Sequence, residues 1–314
     1  MSASNKDTQV LENTEFIGEV SLEGKTAPIT FRAWAGSDCR PQIKADVVDG
    51  TTFSLVIWGH GQQASAGEEV KLTGKSKDGK TSLASEHVTI TGHGHDNGRH
   101  WIAFTPLDCK LTVVEEDSRE KPFVQLWFRS FSSFRNPVFN TPLGNLVICG
   151  ATGSVGAEEI SGFVGLEALC GDPGDDWREK AGDFLRHMHN GLALAHGGRL
   201  QTPLLEYAHR RVREMTFYYG SGFTRELPVQ HSLHQEPYIK ALIERYKRSG
   251  PLPDILWTAL GWVQTDTSID ELRFLSAMTA LEAIIDQLPE RRGTIIDKKV
   301  FDGLREKIQK LIEG

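Results

Sequence analysis

From Phe16 to about Gly150 the chain is a succession of short runs in which apolar and polar residues alternate or β-branched residues cluster: FIGEVSL, APITFRAW, TTFSLVIW, EEVKLTG, HVTITG, WIAF, CKLTVVEE, FVQLWFRS and LGNLVICG. A period of two puts alternate side chains on one face of a pleated strand. Gly, Asp and Asn punctuate the runs at the intervals typical of sandwiches and barrels. The pattern predicts an antiparallel β-sandwich or barrel-like domain over residues 16–170, with Phe31, Leu55, Ile57, Leu126 and Phe128 inside. Residues 1–15 are read as a disordered tail.

The character changes after residue 150. A Gly- and acid-rich stretch, CGDPGDDW, leads into WREKAGDFLRHMHNGLALAHGG, where Phe184, Met188, Leu192 and Ala195 recur at helical spacing before Gly197-Gly198 ends the pattern. TPLLEYAHRRVREMTFYYGSGF then returns to extended structure and carries Arg210, Arg211 and Arg213. Residues 171–233 are thus a linking helix and extended segment. Residues 234–314 are helical: QEPYIKALIERYKRSG stops at Gly250-Pro251, LPDILWTALGWVQ follows, and SIDELRFLSAMTALEAIIDQLP carries a capping-box pair, Ser268 and Glu271. In that last segment Phe274, Met278, Leu281, Ile285 and Leu288 predict a packing stripe. The whole is an α+β chain.

Charge narrows the function classes. A net charge of −7 argues against a protein that coats nucleic acid non-specifically, so contact with RNA or DNA has to be local. Cys39, Cys109, Cys149 and Cys170 form no C-x-x-C pair, no apolar stretch approaches a membrane span, and the first residues lack the apolar core of a signal peptide. These features predict a cytoplasmic protein without a membrane partner.

Three patterns invite a chemical reading. GKSKDGKT, residues 74–81, fits the phosphate-binding pattern G-x-x-x-x-G-K-[ST], but the β-branched SLASEHVTI that follows leaves no room for the helix such a loop requires. Asp78-Gly79 is a hairpin dipeptide, so a β-hairpin tip without nucleotide is expected. In TGHGHDNGRHW, an Asn97-Gly98 turn would set His95 opposite His100, with His93 on the same face and Asp96 on the other. Three imidazoles could hold a metal, but the pattern is read as a polar hairpin tip, and neither metal nor cofactor is predicted. Arg186, His187, His189 and His196 share one helix without the i, i+4 ligand spacing, so they are read as partly buried helix residues.

ELRFLSAMTALEAIIDQL, with the helix pair before it, resembles the opening helix of the HEPN domain at the C-terminus of bacterial ApeA-like proteins. FLRHMHNGLALAHGGRL is similar to the helix and Gly-rich turn that join the two parts of such proteins. The resemblance covers roughly residues 177–314. It implies a metal-independent RNase of anti-phage abortive infection, working as a homodimer on RNA such as tRNA, with the β domain as sensor of a phage trigger. Its active sites carry R-x(4–6)-H, in which arginine stabilises phosphate charge while histidine moves protons.

This chain departs from that pattern, because no histidine follows Ile285. The one match, Arg225 to His231, contains Pro228, precedes the HEPN-like helices and is read as a surface loop. The segment is expected to be an incomplete HEPN domain, more economically a truncated one than an inactive relative, and the chain alone is expected not to cleave RNA. Glu282, at the edge of the apolar stripe, is the one residue connected to catalysis, as a carboxylate that could orient an Arg or His from a later helix; the alternative is a solvated flank residue. Two other functions stay open: a non-catalytic protein that binds a ligand or phage component and dimerises through its helices, and a metal-dependent enzyme built on His93, His95 and His100.

Overall fold

The alternating runs become strands whose inner positions are buried residue by residue. β3 (Pro41–Val47) and β4 (Val70–Ser76) each bury every second residue from first to last. The structure, a computed structural model, describes residues 11–22, 25–36, 38–47, 70–96, 99–133, 136–151, 159–196, 200–218, 235–263, 269–286, 302–303 and 305–306. Leu55, Ile57 and most of the expected tail lie outside these residues, although β1 (Leu11–Leu22) already begins within the last part of that tail.

β1, β2 (Lys25–Ala35), β3, β4, β5 (Thr81–Asp96) and β6 (Arg99–Pro106) form an antiparallel sheet in the order β4-β1-β2-β3-β6-β5, which the pairing of β4 with β5 closes into a six-stranded barrel. Closure satisfies the edge N–H and C=O groups that an open sheet would leave exposed. Phe16, Phe31, Ile43, Leu72, Leu83, Ile102 and Phe104 fill the interior. Phe16 lies directly opposite Phe31, and their rings stack at 5.2 Å with an 11° interplanar angle. Burial of each such side chain contributes about 1.5–3 kcal/mol.

β7 (Asp108–Arg129) is a single strand of 22 residues. The sequence suggests two runs broken at DSREKP, residues 117–122. The strand continues because β11 (Leu204–Tyr218) runs antiparallel along its length, from Leu204↔Trp127 to Tyr218↔Asp108. Register shifts around Arg210, whose φ is +55°, absorb the irregular stretch. On its other side β7 pairs with β5 near its start and with β10 (Ile160–Glu167) near its end. β9 (Gly144–Cys149) and β8 (Val138–Thr141) continue the open sheet from β10.

α1 (Trp177–His196) packs on β7 and β10 and buries Phe184, Met188 and Leu192, in keeping with their spacing. α2 (Gln235–Ser249) packs on α1 and ends at Gly250, whose φ of +70° is left-handed and whose N–H bonds the Tyr246 carbonyl. The chain divides into two compact units, Met1–Leu252 and Pro253–Gly314. The division differs from the expected boundaries at 170 and 233 because β11 is an integral strand of the sheet and α1 and α2 belong to the same packed body.

Within the second unit α3 (Ile255–Val263) packs on α4 (Asp270–Asp286). The predicted stripe is not the packed face. Phe274 and Leu275 are 69% and 61% exposed, and Leu281 and Ile285 are exposed as well, whereas Ala280 is buried with Ser276, Ala283 and Ile284 partly covered beside it. Two helices meeting through small residues approach closely but can bury only one face, which leaves the larger side chains outside. Ser268 and Leu288 lie outside the described residues.

One polar cluster is sealed between the long strands. Gln125 and Glu206 are cross-strand partners, and the buried Glu206 carboxylate accepts hydrogen bonds from Gln125 Nε2 at 2.8 Å, Trp127 Nε1 at 3.1 Å and Arg213 Nε at 2.8 Å. Arg213 also reaches Glu115 at 3.5 Å. Removing an acceptor of this kind strands its donors, so Glu206→Leu is expected to lower the unfolding free energy by about 3 kcal/mol. Urea denaturation measures this. Lys77→Ala, which removes an exposed pair with Glu15, is expected to change little.

Candidate functional site

Residues 74–81 form the β4–β5 hairpin. Asp78 Oδ1 accepts from Ser76 Oγ at 2.6 Å and from the Lys80 N–H at 3.0 Å, and Gly79 takes a φ of +69°. The hydrogen bond from Ser76 holds the Asp78 carboxyl below its usual range, with the Lys80 amide adding to it. Lys77 and Lys80 pair with Glu15 and Glu116. A strand follows the turn, so the phosphate-binding geometry of a helix N-terminus is not formed.

His95 does lie opposite His100, with ring centroids 4.8 Å apart, and His93 sits across from Ile102 on the same face. That face continues into the barrel interior through buried Ile102 and Val47. Among the described residues no group of three His, Cys, Asp or Glu side chains is arranged to hold a metal ion. Asn97, Gly98 and the Asp96 side chain lie outside the described residues, as do Arg225 and His231. Glu282 is exposed on α4, and no hydrogen bond or ion pair joins it to another described residue.

The histidines of α1 act as struts. His187 donates through Nε2 to the Leu242 carbonyl of α2 at 2.8 Å, while its Nδ1 accepts the Leu252 N–H at 3.0 Å. A ring that donates on one nitrogen and accepts on the other is neutral with a fixed tautomer. His189 donates to the Leu200 carbonyl at 2.8 Å and stacks on Phe128 of β7 at 5.6 Å.

A second histidine site carries residue types found in hydrolases. A register shift in β5 between Ser85 and Val88 sets Glu86 and His87 in a bulge. Asp108 receives the His87 N–H at 3.2 Å and lies 3.3 Å from His87 Nδ1. Ser85 Oγ, however, donates to the Asp108 backbone carbonyl at 2.5 Å and is buried, so the hydroxyl serves the bulge and is not aimed at the imidazole as a nucleophile would be.

The feature that local sequence patterns did not reveal is a groove of about 390 Å³, lined by Thr141, Pro142 and Leu143 from the β8–β9 turn, Lys180 and Phe184 from α1, and Ile243, Tyr246 and Lys247 from α2. Each wall is fixed from below. Thr141 Oγ1 donates to the Gly144 carbonyl at 2.8 Å and accepts its N–H at 3.2 Å, and the Trp177 indole N–H holds the Leu143 carbonyl at 2.8 Å. Gly191 lets Leu242 approach the α1 backbone, because a Cβ there would overlap the Leu242 side chain, and Tyr238 Oη donates to the Gly191 carbonyl at 2.7 Å. Tyr246 is wedged edge-on to Phe184 at 4.9 Å and against His187 at 5.2 Å.

The lining is largely apolar and includes two lysines. Lys180 pairs with Asp176, the residue before α1, at 2.5 Å, and Lys247 with Glu244 of α2 at 2.6 Å, all four side chains being exposed. Burial raises the Tyr246 phenol, with Asp183 adding to the effect and Lys180 opposing it. The helical spacing of Ile239, Leu242, Ile243 and Tyr246 is readable in the sequence; its meeting with residues 141–143 is not.

Burial holds His187, His189 and His196 below the ordinary imidazole value of 6.5. The unfolded chain therefore binds more protons than the folded one as pH falls through about 6.5, and stability falls with it until the folded values are passed. Denaturant melts between pH 7.5 and 5 should show this loss, with a shallower slope in His187→Gln.

No family model, curated protein or solved structure matches the chain.

Proposed function

We propose that the Met1–Leu252 unit is a recognition module that takes a small ligand in the groove between the β8–β9 turn, α1 and α2. In this reading it regulates the helical unit that follows. The observation that carries it is the shared support of groove and chain: Tyr246 lines the groove and packs on His187, and His187 receives the N–H of Leu252, the last residue before the helical unit. A largely apolar concavity with a few convergent polar groups is the ordinary form of a small-molecule site. A ligand that presses on Tyr246 acts on a side chain already in contact with that histidine.

The resemblance to ApeA-like proteins supplies the setting: anti-phage abortive infection, a phage component as the source of the trigger, a homodimer formed through the helices, and RNA, including tRNA, as target of a complete HEPN domain. This chain contributes recognition and assembly in that setting. Chemistry at RNA belongs to an R-x(4–6)-H helix, with Glu282 as a carboxylate that orients it. A non-catalytic binding protein remains the alternative, and it uses the same groove.

Phage challenge of bacteria expressing the protein tests the proposal. Protection is expected from the wild type, and loss of protection from Tyr246→Ser and from Lys247→Glu at unchanged protein level. Groove variants that protect as well as the wild type would refute the role of the groove. Absence of protection by the wild type would refute the defence setting.

A further inference from the structure

We infer that the ligand of this groove is a small aromatic monocarboxylic acid, bound with its ring system against Phe184, Tyr246, Ile243 and Leu143 and its carboxylate at the ammonium groups of Lys180 and Lys247. The inference rests on the recognition reading above and adds the chemical class. The groove volume of about 390 Å³ suits a molecule of one or two fused rings. The floor presents a fixed aromatic surface, because Tyr246 is held between Phe184 and His187 and cannot collapse into the space. Aromatic pairs in offset or edge geometry attract each other beyond the area they bury, which favours a ring over an aliphatic chain of equal area.

The charge requirement follows from which residues line the cavity. Both lysines line it, and among the described lining residues there is neither an acidic side chain, their partners Asp176 and Glu244 included, nor an arginine. Ion pairs one turn apart between exposed side chains contribute little, so each ammonium can turn from its partner to a ligand carboxylate at little expense. Each ammonium already stands beside one carboxylate, so the pair has room for a single further negative charge, while a polyanion such as a nucleotide would lack, among the described lining residues, the arginine fork that phosphates require.

Isothermal titration of the full chain with 2-naphthoate, decanoate and 2-naphthalenemethanol tests the inference. Binding of 2-naphthoate is expected, with the neutral alcohol and decanoate each weaker by about tenfold. Lys180→Met combined with Lys247→Met should weaken 2-naphthoate by about tenfold and leave the alcohol unchanged. Both lysines are exposed, so the variant should melt as the wild type does. Equal affinity for acid and alcohol would overturn the charge assignment, and tighter binding of decanoate would overturn the aromatic one; in either case recognition at the groove survives. Failure of all three compounds to bind would overturn the inference as a whole, leaving the phage assay to decide the recognition reading by itself.

Discussion

The pairing of β11 along the whole of β7 is the constraint on which the rest of the first unit depends. β7 begins as a neighbour of the barrel strand β5 and ends as a neighbour of β10, so one strand joins the closed barrel to the open sheet. A strand of 22 residues with half its length away from the barrel would be poorly supported on one side, and β11 supplies the missing partner. The Glu206 carboxylate then fixes the register of the pair, because only one alignment brings Gln125, Trp127 and Arg213 to it together. At the far end Arg129 donates to the Asp38 carbonyl at 2.7 Å, which ties β7 back to the β2–β3 connection. Burial there pushes the neighbouring Cys39 thiol up to about 12, so that cysteine is a packing residue and no nucleophile.

The groove is a consequence of this frame. β10, β9 and β8 are positioned by β7, and the β8–β9 turn they present is held by Trp177 at the start of α1. α1 is anchored to the same sheet by His189 on Phe128, and α2 is hung from α1 by His187, Tyr238 and the close approach at Gly191. Histidine suits this task because its two nitrogens can serve two backbone groups at once in the neutral state. The same bonds that shape the groove also hold Leu252, the last residue of the first unit.

Much of the local structure was legible in the sequence because it depends on near neighbours. The hairpin at Lys77–Lys80 was set by Asp78-Gly79, the pairing of His95 with His100 by the residues around them, and the extent of α1 and the stop of α2 at Gly250 by spacing and glycine. What was missed depends on partners far along the chain. β10 is absent from the alternating runs because its glycines serve packing: Gly162 lies against the Cys149 carbonyl and Phe131, and Gly165 against Phe123, where larger residues would collide. DSREKP separates two runs in the sequence, and only β11, from a distant part of the chain, joins them into one strand. The α4 stripe misled because hydrophobicity marks which residues are apolar, not which face meets α3. The groove combines three segments that lie far apart in the chain, and no local period encodes their meeting.

The central claim is that the groove wall and the end of the first unit are mechanically one, through Tyr246, His187 and Leu252. Amide hydrogen exchange at Leu252, compared between the wild type and Tyr246→Ala, tests it most directly, since the Leu252 N–H is the group His187 holds. The account predicts faster exchange at Leu252 in the variant while the barrel amides of Phe16 and Leu72 keep their rates. An unchanged rate at Leu252 after loss of the Tyr246 ring would contradict it.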